Sequence, residues 1–188
     1  MQTLVINGSP KADGDTAALV NELVAHLDGE IRIVSPGSNI SPCVDCRYCW
    51  EHTGCALKDE MQDVYEYLIT CDNIVFASPI WFSSLSGPFL NMASRIQSVW
   101  AAGYFQKKNL ILKEKRGVVI LVGAQPETKE MPARAAVGIM KCFHVHRPSV
   151  IEIHSLDTNR LPAGMDEIAL KKCREAADRL NRSTGGPP

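Results

Sequence analysis

Four cysteines stand within thirteen residues of this chain, in the pattern C-x2-C-x2-C-x5-C. They are Cys43, Cys46, Cys49 and Cys55. In a loop, three closely spaced thiolates can bind three corners of a cubane iron–sulfur cluster, and the fourth thiolate can complete the set. Unligated thiols, as a redox pair or as loop packing, are a second interpretation. Zinc or a disulfide is a third, although structural zinc usually separates two C-x2-C pairs by a longer stretch.

A second group of polar residues follows the first apolar run of the chain. Residues 3–6 read as a buried strand, and a helical apolar pattern begins at Ala17. Between them, the hydroxyls of Ser9 and Thr16 can donate to an anion, Lys11 adds positive charge, and the helix start offers unpaired N–H groups. The segment lacks both G-x-G-x-x-G and G-x-x-x-x-G-K-[ST], which favours a terminal phosphate monoester over a dinucleotide or a P-loop nucleotide.

The alternative for this loop is an ordinary strand-to-helix turn, in which Asp15 or Thr16 caps the helix. A choice between the two interpretations depends on what else lies near the loop, and therefore on the order of the strands.

A third group of residues could form the wall of a site for a flat organic ring. The apolar and aromatic part of this wall is Pro79, Ile80, Trp81 and Phe82. Ser83 and the serines after it add hydroxyls and backbone donors, so a ring such as isoalloxazine would find both apolar contact and hydrogen bonds. Gly123, in the loop after the fourth strand, permits close approach from the other side. A strand end with core aromatics is the alternative for Trp81.

Alternating strands and helices must position these residues. The predicted strands cover 3–7, 31–34, 73–77, 117–122 and 149–153, and the predicted helices cover 15–27, a segment that Asp59 caps, 87–100, 129–142 and 164–181. This alternation predicts an α/β fold, a flavodoxin-like three-layer αβα sandwich with a five-stranded parallel sheet in the order 2-1-3-4-5. Strands one and three are then neighbours, so loops 8–16 and 78–86 converge at the switch point, where ligands bind.

Composition limits the class of protein further. The chain has 188 residues, 45% of them hydrophobic and 22% charged, with a net charge of -1. We expect one domain over 1–182, a disordered tail over 183–188, and no affinity for nucleic acid or membranes. No membrane span or signal peptide is recognisable, which predicts a cytoplasmic protein. Cys71, Cys142 and Cys173 are expected in the core, and Arg95 is expected on a solvated helix face.

Three segments resemble one known family. NGSPKADGDTAAL resembles the phosphate loop of the NAD(P)H-dependent FMN reductases, and SPIWFSSLSGPF resembles their isoalloxazine loop. CVDCRYCWEHTGCALKDEM resembles the cysteine segment of the family's iron–sulfur flavoprotein branch, which implies a [4Fe-4S] cluster on the four clustered cysteines. The resemblance implies that Ser9, Lys11, Asp15 and Thr16 surround the FMN phosphate, that residues 79–83 line the ring, and that Gly123 belongs to the third FMN-contacting loop.

Two positions depart from the family pattern. Asp15 stands where Asn is common, and a carboxylate beside a phosphate dianion is repulsive. We therefore expect Asp15 to act through its backbone N–H or as an N-cap. Ser83 stands where Gly is frequent, which predicts an altered geometry of the donors near the ring.

The predicted function is an FMN-dependent oxidoreductase that passes electrons from NAD(P)H to a quinone, a flavin or another small acceptor. The alternative is an electron carrier with FMN and a [4Fe-4S] cluster, which would exchange electrons with a ferredoxin-like protein. A non-catalytic flavin-binding redox sensor is the third possibility. A homodimer or homotetramer is predicted, because members of the family commonly form dimers or tetramers and because this chain has three aromatic residues close together, Trp100, Tyr104 and Phe105.

Overall fold

Five parallel strands form the centre of the protein. The structure is a computed structural model that describes residues 1–36, 38–145 and 149–182. In chain order, they are β1 (Gln2–Asn7), β2 (Glu30–Val34), β3 (Asn73–Trp81), β5 (Arg116–Val122) and β6 (Val150–Ser155). Their order in the sheet is β2-β1-β3-β5-β6, which confirms the predicted order 2-1-3-4-5. Val5 pairs with Val75, and Val75 pairs with Val118, so the middle of the sheet is apolar throughout.

A short sixth strand, β4 (Ser84–Leu85), pairs antiparallel with the end of β3. The prediction ended the third strand at Ala77, but the strand continues to Trp81 and turns back on itself. The two residues of the turn, Phe82 and Ser83, have φ values of 52° and 56°. Positive φ at both positions is typical of a type I′ hairpin, whose usual signal, Asn-Gly or Asp-Gly, is absent at this turn.

Seven α-helices flank the sheet in the described part of the chain. They are α1 (Asp15–Ala25), α2 (Tyr48–Glu51), α3 (Met61–Thr70), α4 (Gly87–Ser94), α5 (Gln97–Tyr104), α6 (Glu130–Met140) and α7 (Glu167–Asn181). The single helix predicted over 87–100 is in fact two, α4 and α5. The chain tightens between them, because Arg95 and Ile96 donate to carbonyls three residues earlier.

The two faces of the sheet bury separate apolar clusters, which makes the fold a three-layer sandwich. On one face, Val5 and Val75 pack with α1 and α7, whose side chains include Leu19 and the buried Cys173. On the other face, Phe76 and its neighbours pack with α3, α4 and α6. The alternation follows from the period of two residues along a strand. The core positions predicted for Cys71 and Cys173 are confirmed, whereas Cys142 is only half-buried.

None of the helices in the described ranges is long and apolar enough to cross a membrane. The predicted tail, 183–188, lies outside the described residues. The assignment of 1–182 to a single domain stays a prediction.

Candidate functional site

The loops after β1 and β3 are joined by hydrogen bonds at the carboxyl edge of the sheet. The Gly8 N–H donates to the Ala77 carbonyl at 2.7 Å, and the Ser86 hydroxyl donates to the Gly8 carbonyl at 2.8 Å. The Ser86 N–H donates to the Ser78 hydroxyl at 2.9 Å. The convergence predicted from the strand order is therefore confirmed at the level of individual atoms.

Gly8 sits where no side chain has room. A Cβ atom at this position would lie 2.4 Å from the Phe89 Cβ and 2.8 Å from the Ser86 Oγ. Real Cβ atoms do not approach neighbours this closely, so glycine is required for the start of α4 to pack against the first loop.

The first loop presents donors toward the start of α1. The Ser9 N–H donates to the Asn7 side chain at 3.0 Å, and the Ser9 Oγ lies 3.3 Å from both the N and the O of Lys11. The first helical hydrogen bond runs from Ala18 to Gly14, so the N–H groups of residues 15–17 lie ahead of the helical ladder. Thr16 is buried beside them. This arrangement suits an anion.

Asp15 does not cap the helix. The capping residue is Gly14, without a side-chain hydrogen bond, and Asp15 is the first helical residue. Its carboxylate instead accepts the Ala163 N–H at 2.7 Å, in the connection between β6 and α7. The predicted N-cap role of Asp15, and the alternative of Thr16 as the cap, are therefore wrong. The carboxylate is engaged elsewhere, and the Asp15 N–H remains in the first turn of α1.

The second and third loops also meet. A Cβ atom at Gly123 would lie 3.3 Å from the Ile80 Cβ, so glycine keeps the two loops in close contact. The Gly123 N–H donates to the Ser155 carbonyl at 2.9 Å, which fixes the third loop to β6. Pro79 and Ile80 are half-buried between these loops.

The aromatic residues of the second loop face solvent. Trp81 is 43% exposed, and Phe82 is fully exposed at the tip of the hairpin. The alternative that made Trp81 a core aromatic is therefore wrong. Ser83 adopts the left-handed conformation that L residues avoid, which gives a physical reason for the frequency of glycine at this position.

The four clustered cysteines line one cavity of about 400 Å³, together with residues of α4, of α5 and of the break between them, which include Arg95 and Trp100. All seven cysteines are free thiols in the structure. Among the residues described, no three His, Cys, Asp or Glu side chains converge closely enough to hold a metal ion. The four thiols instead line the wall of this cavity, which has room for a group larger than one ion. Burial raises the pKa of the Cys49 thiol, and the other three cysteines raise it further.

The backbone around Cys46 is turned by two residues in the left-handed conformation, Asp45 with φ 49° and Arg47 with φ 58°. Each such residue costs free energy and persists only where its surroundings hold it in place. The short helix α2, which the sequence prediction missed, follows at once and carries Cys49.

Arg95 is the largest correction to the sequence prediction. It is only 1% exposed, not solvated, and forms a two-pronged ion pair with Asp59 at 2.6 and 3.1 Å. Its Nη1 also donates to the Ser41 carbonyl at 2.9 Å, and its Nη2 to the Leu57 carbonyl at 3.4 Å. The guanidinium thereby fastens both ends of the cysteine loop. Nothing in the local sequence signalled this role, because its partners lie 36 to 54 residues away.

Asp59 completes this junction. Its carboxylate accepts the N–H groups of Ser41 at 3.0 Å and of Met61 at 3.1 Å, the latter at the start of α3, whose capping residue is Glu60, one position after the predicted cap. Burial raises the pKa of the Asp59 carboxyl, but the hydrogen bonds from Arg95, Ser41 and Met61 outweigh this effect and hold the pKa below its ordinary value.

One helix connects the two regions. The first turn of α4 packs on Gly8, and its last residue, Ser94, accepts the Cys43 N–H at 2.9 Å. A helix of eight residues is about 12 Å long. The loops at the sheet edge and the cysteine cavity therefore lie at opposite ends of a short, rigid element.

Exposed aromatic rings stack beside the cysteine cavity. Trp50 stacks on Phe105 with ring centroids 4.5 Å apart, and Trp100 stacks on Tyr104 at 4.9 Å. All four rings are exposed. Trp100, Tyr104 and Phe105, from which the sequence predicts an oligomer, are thus accessible on the surface of this chain.

Comparison with known proteins agrees with this geometry. Residues 1–151 match the family model described as NADPH-dependent FMN reductase. An iron–sulfur flavoprotein of Methanocaldococcus jannaschii is 30% identical over 128 residues, which cover 65% of this chain and 62% of that protein. The match thus spans less than two thirds of that relative.

Two solved structures share the fold. An NAD(P)H:quinone oxidoreductase from Methanothermobacter marburgensis superposes with a TM-score of 0.69 at 16% identity, over 100% of this chain and 99% of that one. An FMN-dependent NADH-azoreductase from Bacillus anthracis, in complex with FMN, superposes with a TM-score of 0.60 at 16% identity, over 97% and 100%. At these identities, the likeness shows a common flavodoxin-like architecture.

Proposed function

Because the chain belongs to the NADPH-dependent FMN reductase family, we propose that it is an oxidoreductase that passes electrons from NAD(P)H to a small acceptor such as a quinone or a flavin. FMN would lie along the three loops at the carboxyl edge of the sheet. The observation that carries this proposal is the hydrogen-bonded junction of the first two loops at Gly8, Ala77 and Ser86. It brings the first loop and the start of α1 next to an aromatic hairpin, an arrangement that would suit a phosphorylated flat ring.

The first loop would hold the phosphate. The hydroxyls of Ser9 and Thr16 and the N–H groups at the start of α1 are the donors, and Lys11 supplies the positive charge. The Asp15 side chain takes no part, because Ala163 occupies it. Asp15 would contribute only its backbone N–H, which avoids repulsion between the carboxylate and the phosphate.

The second and third loops would hold the ring. Pro79 and Ile80 offer apolar contact, and Trp81 and Phe82 would exclude water from its edge. Ser83 would present a backbone donor at the hairpin turn, and Gly123 would let the third loop approach Ile80 closely. When bound, FMN supplies the hydride acceptor and electron donor of the reaction, and the protein supplies position and hydrogen bonds.

A pair of binding measurements tests this proposal. Flavin-free protein would be titrated with FMN and with riboflavin, which lacks the phosphate. Two charged hydrogen bonds to the phosphate predict about 100-fold tighter binding of FMN. Bleaching of bound FMN by NADH or NADPH, followed by recovery with a quinone, would then establish the activity. Equal affinity for the two flavins would contradict the phosphate site, and inertness toward both nicotinamides would contradict the reductase.

A second candidate is an electron carrier that holds a [4Fe-4S] cluster beside FMN. It is favoured by the single cavity that Cys43, Cys46, Cys49 and Cys55 line, with a buried arginine against it. A ferredoxin-like protein would be the electron partner. Anaerobic reconstitution should load about four iron and four sulfide per chain. A chain that takes up neither iron nor sulfide would exclude this candidate. In the third possibility, the redox sensor, the response to redox state would then come from the unligated thiols alone.

The exposed aromatic residues Trp100, Tyr104 and Phe105 would form the contact of a homodimer or homotetramer. Sedimentation at micromolar concentration tests this, and a monomer would contradict it. The cytoplasmic location stays a prediction, which cell fractionation would test.

A further inference from the structure

The contacts described above leave one hydrogen-bond donor of the Arg95 guanidinium without an acceptor. Both terminal nitrogens are engaged by Asp59, Ser41 and Leu57. The third nitrogen, Nε, is buried and has no hydrogen-bond partner within the described part of the chain. The side chain is fully buried, and the residue lines the cysteine cavity. A buried donor of a charged group without an acceptor is costly, so its presence calls for an explanation.

The surroundings of the guanidinium suggest the acceptor. Although burial lowers it, the Asp59 carboxylate and then the Cys55 thiol raise the pKa of Arg95 above its ordinary value. The geometry points to the same thiol, because Cys55 lines the same cavity as Arg95 and stands two residues before Leu57, whose carbonyl accepts from Nη2 at 3.4 Å. The Gln62 amide donates to the carbonyls of Cys55 and Leu57, which holds this end of the loop against α3.

The backbone of Arg95 is fixed as firmly as its side chain. The Tyr65 hydroxyl donates to the Arg95 carbonyl at 2.6 Å, and the Ser98 hydroxyl donates to it at 3.2 Å. The residue stands in the break between α4 and α5, where the tightened turn carries it inward. The guanidinium therefore has a defined direction before any group enters the cavity.

We propose that Arg95 is a positioning residue for an iron–sulfur cluster on the four cysteines: its terminal nitrogens fasten both ends of the cysteine loop, and its Nε–H donates to the Cys55 sulfur or an adjacent cluster sulfur. This inference rests on the second candidate function. A cluster bound by four thiolates is anionic, and Arg95 is a buried cation beside it. Hydrogen bonds to the sulfurs stabilise the more negative, reduced form and raise the reduction potential.

The test compares the same substitution at two positions of the cavity. Arg95→Lys keeps the charge but removes Nε and the fork, whereas Arg47→Lys is the control at an exposed arginine that also lines the cavity. Protein reconstituted anaerobically would be assayed for iron, sulfide and FMN. Iron loss to a chelator and the cluster potential, from an EPR-monitored titration, are the decisive readouts.

Loss of a group that orients metal ligands typically weakens binding about 10–100-fold. We therefore expect iron loss from Arg95→Lys to be faster by about that factor, a more negative potential for the remaining cluster, and unchanged FMN content. Arg47→Lys should match the unaltered protein in all three. An unchanged potential in Arg95→Lys would overturn the proposal even if iron were lost faster, because a purely structural role would do the same. An Arg47→Lys protein that behaved like Arg95→Lys would also overturn it.

A second variant keeps the proposal testable if Arg95→Lys does not fold. Asp59→Asn leaves Nε in place but removes the charge that neutralises the guanidinium, so the potential should become less negative. No shift would overturn the proposal. Failure of the unaltered protein to take up iron and sulfide would overturn it as well. Because FMN is measured on the same samples, that result leaves the flavin site to be judged separately.

Discussion

The loops at the sheet edge and the cysteine loop are held in place by different means. At the sheet edge, main-chain hydrogen bonds fix the first and third loops directly to neighbouring strands, and two serine hydroxyls and the close contact at Gly8 hold the second loop against the first. The cysteine loop is instead tied down largely by side chains. Arg95 and Gln62 hold its ends, and Gln106 donates to the Cys49 carbonyl at 2.8 Å.

This difference has a consequence for how each region can change. Backbone contacts at the end of a parallel sheet persist whenever the fold persists, so a site built from them comes with the architecture. A loop held by a few side chains can be loosened without unfolding the sheet. We therefore expect the loops of the proposed flavin site to lose their arrangement only through local overpacking, and the cysteine loop to lose its arrangement through single polar substitutions.

The largest effect is expected at Gly8. In Gly8→Val, the new side chain would push the Phe89 Cβ and the Ser86 Oγ away from the first loop. Overpacking of this kind costs about 3 kcal/mol. We expect FMN binding to be lost together with this stability, as measured by denaturant unfolding and fluorescence titration. The matched control is Gly138→Ala in the exposed middle of α6, where a Cβ meets nothing within 4 Å. It should gain about 0.5–1 kcal/mol. Tolerance of valine at Gly8 would remove the basis of the comparison.

Asp59→Asn tests the side-chain junction of the cysteine loop. Removing one partner of a buried ion pair is costly, but the amide oxygen still accepts hydrogen bonds, so we expect a loss of about 2 kcal/mol at pH 7. The control is Asp63→Asn, because the exposed pair of Asp63 with Arg32 at 3.4 Å should contribute less than about 0.5 kcal/mol. FMN binding should survive both substitutions.

The pH dependence sharpens this test. The folded pKa of Asp59 lies below its ordinary value of 3.8, so its contribution to stability is fully present above that pH. The contribution is lost as the pH falls through the folded pKa. The gap in unfolding free energy between the unaltered protein and Asp59→Asn should therefore be constant near neutral pH and shrink below pH 3.8. A gap that persists in acid would show that charge is not the source.

Thr16→Val asks whether the start of α1 binds a phosphate. Valine keeps the shape of the buried threonine but loses its hydroxyl. One hydrogen bond to a charged group is worth about 1.5 kcal/mol, so the Kd for FMN should rise about tenfold while the Kd for riboflavin stays the same. Thr70→Val, on the exposed end of α3, is the control and should change neither. An equal loss for both flavins would mean that Thr16 supports the loop and does not bind the phosphate.

The same contrast explains how far the sequence alone could go. The strands, their order and the meeting of loops 8–16 and 78–86 follow from local apolar patterns and a topological rule, and the structure confirms them. The role of Arg95 depends on a break between α4 and α5 and on Asp59, 36 residues away. The partner of the Asp15 carboxylate is 148 residues away. Long-range polar contacts between side chains leave no periodic trace, so the cysteine region was predicted only as a motif.

The hairpin turn at Phe82 and Ser83 lies between these cases, because the backbone fixes it but its sequence signal is missing. Ser83→Gly should relieve a left-handed conformation that costs about 1–2 kcal/mol, less the extra freedom glycine gains on unfolding. We expect a net gain of about 0.5 kcal/mol by denaturant unfolding. Ser84→Gly, one residue later in β4, should instead lose about 0.5–1 kcal/mol. The opposite changes in unfolding free energy at these adjacent serines test the turn directly. In a loop without the hairpin, the two substitutions should change the unfolding free energy in the same direction. A loss at Ser83 would also remove the physical reason given for glycine in the relatives.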